Sequence, residues 1–512
     1  MPGLDGEGES MEAKTTAMTY VPRRIIGAGV LFLLLACGHA AFAKVIVYPI
    51  PEGVKVNDAY SVRIRPLGGT WRKVGIYNVE VRTGWDTKTD SSMAYFDCNE
   101  PVEIEVTRNT GKIDRIDLRP KRLQLKPKQV REHSFRFIMN EPKKISVEIN
   151  GDIYDNLHIF ARYPESDPIT AESDEVVYFG PGYHRLDKPL NLESRKTLYI
   201  AGGAFIEVGL NNDTSQGAHV RGESLSDVTL RGRGIIYMPG PSFGDVHGPQ
   251  GLRLRRCSRV KVDGITLIKQ SRGWTNCIQN NTDVAYTDVA LISVGRNGDG
   301  IDVVGGRDIV VDNCFVRASD DALCIKTWSI DHDLDHVVFK NCTAWNDITS
   351  HPIEIGFELR SSYARNIAFQ NIDIPHSNGQ HPPTSDFGTI DISHGDNAIL
   401  SNVLFEGIHI ENIHSPDYKL ISCSIVHDPT WSLAAGDRNR GRGKDIVFRN
   451  IFYAGDAESK ISGYNSTHGF DGITFENFHY NGQVATSPAE ANLTIGDFVK
   501  TVSFKKSKVP NR

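Results

Sequence analysis

One seven-residue pattern returns along the C-terminal two-thirds of the chain, and it leaves few folds open. It reads polar or Gly, apolar, any, apolar, any, Asn or Gly, then Cys or an apolar residue. The copies begin at Asp308, His336, Asn366, Asn402, Asp445 and Gly472, with weaker ones at Asp227 and Arg259. From Asp308 onward the starts are separated by 28, 30, 36, 43 and 27 residues. Alternation at period two with β-branched and aromatic residues marks strands. A recurring interval of this length marks stacked coils, each burying its apolar face only against its neighbours. The expected fold is all-β, with a right-handed parallel β-helix as its main body.

The sixth position of the repeat is Asn in most copies: Asn313, Asn341, Asn371, Asn450 and Asn477, with Gly407 as the exception. Asn tolerates a left-handed bend and can hydrogen-bond its counterpart on the next coil, so an Asn ladder is expected at one corner. Cys314 and Cys342 hold the next repeat position on successive coils and are expected to stack in the core. Variable intervals then become loops at other corners, the longest at Pro375 to Phe387 and at His414 to Lys444.

The chain has 512 residues, more than one ordinary core accommodates, and a net charge of −6. No basic run stands out, so nucleic acid is not an expected partner. Near the N-terminus, Arg23-Arg24 precedes an apolar run from Ile25 to Cys37, and Ala41-Phe42-Ala43 precedes Lys44. That is a secretion signal with a small-x-small cleavage site, too short to span a bilayer comfortably. Met11 and Met18 are alternative starts. Leu34-Leu35-Ala36-Cys37-Gly38 also resembles a lipoprotein box, which would lipidate Cys37. Either route takes the protein out of the cytoplasm. The seven cysteines after Ala43 form no Cys-x-x-Cys pair, so a zinc cage is not expected.

Between Lys44 and about Pro164 the repeat is absent. Val45–Tyr48, Tyr60–Ile64, Val102–Val106, Ser134–Ile138 and Lys144–Ile149 read as strands, the last ending in the tight turn Asn150-Gly151-Asp152. Many short strands in so few residues suggest a β-sandwich. It is expected to cap the first coil or to bind carbohydrate. The domain plan is therefore a signal over 1–43, a sandwich over 44–165 and the β-helix over 166–512.

Two acidic motifs sit about one coil apart: Asn297-Gly298-Asp299-Gly300-Ile301-Asp302, then Ser319-Asp320-Asp321 ahead of Leu323 and Ile325. Asp320 follows Asp299 by 21 positions. Adjacent coils stack about 4.7–4.9 Å apart, so these side chains can flank one glycosidic bond. Either motif alone is an ordinary turn. Together they crowd three carboxylates, which raises one pKa and suits a general acid. Gly300 is expected to leave an open patch beside Asp299. Asp302 points out of the strand if Ile301 and Val303 point inward, to bind substrate or be solvated.

These motifs, with Ile325-Lys326, resemble the signature of glycoside hydrolase family 28, the polygalacturonases, which are right-handed β-helices. Family 49 of the same clan, the dextranases and isopullulanases, also carries an Asp and an Asp-Asp pair and adds an N-terminal sandwich. Ser146 to Ala161 is similar to the end of that sandwich. Carried over, Asp320 matches the general acid, and Asp299 and Asp321 match the carboxylates that activate water. The resemblance implies single displacement with inversion, for which a carboxyl gap of about 6.5–9.5 Å is usual. It implies no metal and no cofactor.

Two family features are missing. The next coil offers Ser350-His351-Pro352 in place of Gly-His-Gly, and no Arg-Ile-Lys grips a uronate. His351 is a candidate to orient a carboxylate or sugar hydroxyl; the alternative is a solvated loop residue. Lys326, Arg360 and His394 are cationic candidates for substrate, and Trp328 and Trp345 are candidates to stack on sugar rings or to pack within loops. A polysaccharide lyase, an adhesive solenoid and an epimerase remain as rivals. The expectation is a secreted or periplasmic monomer, without a membrane span, acting on a polysaccharide: pectic by its Asp motifs, or a neutral α-glucan by its sandwich and missing uronate grip.

Overall fold

The computed structural model describes residues 44–210, 217–244, 248–379, 386–426, 432–433 and 440–507. The signal segment, Cys37 and the alternative starts lie outside the described residues, as do parts of both long loops. Every repeat copy becomes a strand on one face of a solenoid, which we call face A. Its second residues pair in parallel from Val228 through Val260, Val284 and Ile309 to Val337, Ile367, Val403, Ile446 and Ile473. The copy at Asp283 was too short of Asn and Cys to be read in the sequence. Face B holds Ala290–Ser293, Phe315–Ala318 and Thr343–Asn346, and face C holds Leu323–Thr327, Ile353–Leu359 and Gly388–His394. The fold is a right-handed parallel β-helix behind a small β-sandwich.

The fourth repeat position supplies a continuous aromatic stack. Phe339, Phe369, Phe405, Phe448, Phe475 and Phe504 lie ring over ring with centroids 4.9–5.4 Å apart. Each stacked pair adds about 0.5–1.5 kcal/mol beyond area burial. Phe405 is fully buried between two of these rings. Phe405→Ala is expected to cost about 3–5 kcal/mol in chemical unfolding, because the coils above and below cannot collapse into the gap. A loss under about 1 kcal/mol would mean that the ladder is not a source of stability.

Asn313, Asn341, Asn371, Asn450 and Asn477 adopt φ of 49–56° at the face A to face B corner. Asn371 Nδ2 donates to Asn341 Oδ1 at 2.6 Å, and Asn477 Nδ2 to Asn450 Oδ1 at 3.2 Å. A second left-handed bend lies at the first repeat position, where Asp308, His336, Asn366, Asn402 and Asp445 have φ of 54–56°. Sequence reading missed it because the residue type there varies. Cys314 and Cys342 both lie in the core, and the seven described cysteines are free thiols.

The sandwich has one sheet with Val45–Val47, Tyr77–Gly84, Thr87–Cys98, Ile116–Arg119, Lys144–Ile149 and Leu157–Arg162. The other holds Tyr60–Pro66, Arg72–Val74, Val102–Arg108, Lys128–Arg131 and Ser134–Met139. Its position corrects the capping expectation. It lies along the flank of the solenoid: Tyr77, Val79, Val81, Tyr95 and Phe160 pack on Phe205, Ile235, Ile268, Ile292 and Phe315 of face B. Glu148 accepts from Arg119 at 3.0 Å and bonds His376 at 2.6 Å, while Arg119 also reaches Glu411 at 2.5 Å. An apolar outer face on several coils needed covering, and these residues cover it. The first coil strand, Val176–Phe179, stays half-buried.

Candidate active site

The acids lie where face B turns into face C. Ile301 pairs with Leu323 and Leu323 with Ile353, so the coil step here is 22 and then 30 residues. Asp299 therefore stacks with Asp321, and Asp320 stands one residue earlier, level with Gly298. The same column runs back to Trp274 and forward to His351. Gly300 does not leave an open patch. A Cβ there would lie 2.3 Å from Val316 Cγ1 and 2.4 Å from the Ala322 carbonyl oxygen, so the glycine permits close backbone approach.

Lys326 lies at the centre of the cluster. Its Nζ is 3.3 Å from Asp299, 3.2 Å from Asp321 and 3.5 Å from Asp302, and 4.8 Å from the Trp274 ring centroid. It is 5% exposed, so it is an internal counter-ion and not the surface cation expected to meet substrate. Asp302 is fully buried beside it, which corrects the expectation of a solvated or substrate-facing carboxylate. Its neighbours along face C, Cys277 and Cys324, are buried too. Burial pushes the Asp302 carboxyl up to about 7, against the pull of Lys326. Burial and the facing Asp302 push Asp299 well above the ordinary carboxyl range.

Asp320 is the half-buried member of the three. Thr349 Oγ1 donates to its Oδ2 at 3.1 Å, and the Asp321 N–H donates to its Oδ1 at 3.1 Å. Burial and the neighbouring Asp321 raise its pKa, while the Arg82 guanidinium opposes the rise. Asp321 Oδ1 accepts the His351 N–H at 3.1 Å. One oxygen from each of Asp299, Asp320 and Asp321 lies within 4.8 Å of the others.

His351 is not a solvated loop residue. It is 1% exposed, with Nδ1 2.9 Å from the Gly388 carbonyl oxygen and 3.0 Å from Tyr418 Oη. It approaches Glu354 at 3.6 Å and Asp391 at 3.8 Å, a second group whose donor atoms also lie within 4.8 Å of one another. Either group has the reach to hold one cation. In the first, Lys326 already neutralises two members; in the second, burial and Asp391 push Glu354 far up, so a shared proton balances the pair.

The remaining candidates divide. Trp328 is half-buried and packs on Trp274 with ring centroids 5.0 Å apart, close to Lys326. Arg360 lies one coil beyond Trp328, with Nε 3.3 Å from Asp396. His394 is fully buried, its Nε2 2.9 Å from the Ala398 carbonyl oxygen, and burial lowers its pKa to about 4, so it is no cation for substrate. Trp345 is also fully buried, packed on His376 and Arg317, and its role is core packing. Trp274, Thr349, Glu354, Asp391 and Tyr418 were missed in the sequence. Counting one coil back from Asp299 would have found Trp274.

Residues 183–463 match the family described as Glycosyl hydrolases family 28. The chain belongs to this family. A probable polygalacturonase from Arabidopsis thaliana is 20% identical over 199 residues, which are 38% of this chain and 40% of that protein. The chain thus matches less than half the length of that curated relative. Among solved structures, Dex49A from Penicillium minioluteum is 14% identical, with a TM-score of 0.55 over 88% of this chain and 96% of that one. An exopolygalacturonase from Thermotoga maritima is 13% identical, with a TM-score of 0.45 over 64% and 83% of the two chains. The Dex49A likeness is one of fold, and it includes the sandwich as well as the solenoid. No described helix is long and apolar enough to cross a membrane.

Proposed function

We propose that the protein is an exported glycosidase that hydrolyses a polysaccharide by single displacement at the Asp299–Asp320–Asp321 cluster. The observation that carries this reading is the meeting of Asp299, Asp320 and Asp321 from adjacent coils, with Asp299 and Asp321 held by one buried lysine and Asp320 alone half-exposed. Asp320 protonates the leaving glycosidic oxygen; burial and Asp321 raise its pKa, which favours the protonated form that a general acid needs. Asp299 and Asp321 hold the attacking water. Burial and the facing Asp302 raise the Asp299 pKa, which favours its neutral form. Asp321, anchored by Lys326 and the His351 N–H, therefore takes the larger share of water activation. Trp328, Trp274 and Arg360 border the cleft and position sugar rings. Export rests on the charged and apolar segments ahead of Lys44.

Oxygens of Asp299, Asp320 and Asp321 that approach closely enough to share one cation also admit a second stereochemical reading, retention through a glycosyl-enzyme. The substrate also has two readings. The Asp motifs favour a pectic chain. Glu354 and Asp391 beneath His351, with Lys326 already engaged by three carboxylates, favour a neutral glucan. Reducing-sugar release from polygalacturonate, rhamnogalacturonan, dextran and pullulan, with Asp320→Asn alongside, tests the hydrolysis and identifies the chain. Proton NMR of the first product formed is expected to show the anomer opposite to that of the substrate. The same anomer at the earliest times would replace inversion with retention. Ultraviolet absorbance growing during digestion would indicate a lyase instead.

A further inference from the structure

The sandwich reaches the acidic coils through one hairpin. Strands Tyr77–Gly84 and Thr87–Cys98 meet at a two-residue tip, Trp85-Asp86. Arg82 donates through Nη1 to the Ser319 carbonyl oxygen at 3.4 Å, and its backbone N–H to Asp347 at 3.3 Å. The tip is therefore tied to the residue before Asp320. Asp86 pairs with Arg296 at 2.9 Å, on the segment leading to Asp299. The hairpin is clamped on both acidic coils.

Trp85 is a costly choice at this position. Tight hairpin tips favour Gly, Asn and Asp, and a Trp there gains nothing from turn geometry. It is 56% exposed, yet its ring is held by two guanidinium groups, Arg82 at 5.3 Å and Arg296 at 5.1 Å from the centroid. Arg82 Nη2 also donates to the Trp85 carbonyl oxygen at 2.6 Å. An exposed aromatic ring fixed in advance stacks on the apolar C–H face of a sugar with little entropy left to lose.

We propose that Trp85 is a sugar-binding platform that the sandwich contributes beside the acidic coils, in addition to the solenoid's own Trp274–Trp328 pair. Its ligand is a pyranose ring of the glycan chain, held within a short oligosaccharide's length of Asp320. The inference rests on this cleft being the hydrolytic site. It gives the sandwich a part in substrate recognition beyond covering face B.

The test uses full-length protein carrying Asp320→Asn, which leaves the glycan intact, in native gels containing dextran, pullulan, polygalacturonate or rhamnogalacturonan. At least one glycan is expected to retard this protein. Adding Trp85→Ala is expected to weaken the retardation about fivefold to tenfold, while Trp85→Phe keeps most of it. Thermal melting of the variants controls for loss of fold. In the active background, Trp85→Ala is expected to raise KM for the polymer by the same factor, with a smaller change in kcat. Equal mobility with and without Trp85→Ala in every gel, retarded or not, overturns the platform. Retardation that depends on Trp85, beside a wild type that releases no reducing sugar, would sink the hydrolase reading and leave the platform standing.

Discussion

Asp320→Asn is expected to slow polysaccharide hydrolysis by about 10²–10⁴-fold, the usual worth of a positioned general acid. Asn keeps the size of the side chain and can still meet Thr349 Oγ1, which lies 3.1 Å from Asp320 Oδ2. The substitution therefore removes the transferable proton and little else. A general acid matters only as much as its leaving group needs protonation. With a dinitrophenyl glycoside of the released sugar, whose leaving phenolate is already stable, most of the Asp320→Asn deficit is expected to vanish. Asp299→Asn and Asp321→Asn act on the water, so their losses are expected to persist with either leaving group. An equal loss for Asp320→Asn on both substrates would move the acid role to another residue. In the wild type, burial and Asp321 raise the Asp320 pKa, so the alkaline fall in rate is expected above the ordinary carboxyl range. That limb should be missing from Asp320→Asn.

The solenoid was legible because its signal is repeated: one ambiguous strand is weak evidence, but successive copies with Asn at a fixed position agree with each other. Its register was less legible. The 21-residue interval puts the Asp320–Asp321 doublet about one coil from Asp299 without saying which member stacks on it; Ile301 pairs with Leu323 and places Asp321 over Asp299. A one-residue offset is invisible without the strands, because loop length at each corner is free to vary. Burial was the other blind spot. Asp302 and Lys326 read as surface groups from alternation alone, since a polar residue pointing out of a solenoid usually meets water. Here both are buried, Trp274 packs on the lysine, and the lysine's charge is consumed internally. Trp85 could not be assigned because nothing in 1–165 announces which hairpin crosses to the acids. That choice depends on the docking of two domains, set by Arg82, Asp347, Arg317 and the face B side chains together.

Lys326→Met is expected to destabilise the fold by about 3–5 kcal/mol at neutral pH, the cost of leaving buried carboxylates without their cation. The methionine nearly matches the aliphatic stem, so the loss belongs to charge and not to a cavity. Its pH dependence separates this cause from any other. The folded carboxyls are raised, Asp302 to about 7 and Asp299 well above its usual range, while unfolded Asp titrates near about 3.9. Stability from such groups is full below the unfolded pKa and is lost as pH rises through the folded one. Removing Lys326 raises the folded values further. The deficit of Lys326→Met relative to wild type is therefore expected to be smallest below about pH 4 and to open as pH rises toward neutrality. Adding Asp302→Asn to Lys326→Met should recover part of the loss at pH 7, because one buried negative charge goes with it. Denaturant melts of the wild type, the single variant and the double variant across this range measure both effects. A deficit independent of pH, or no recovery in the double variant, would mean that Lys326 is not the counter-ion on which the carboxylate cluster depends.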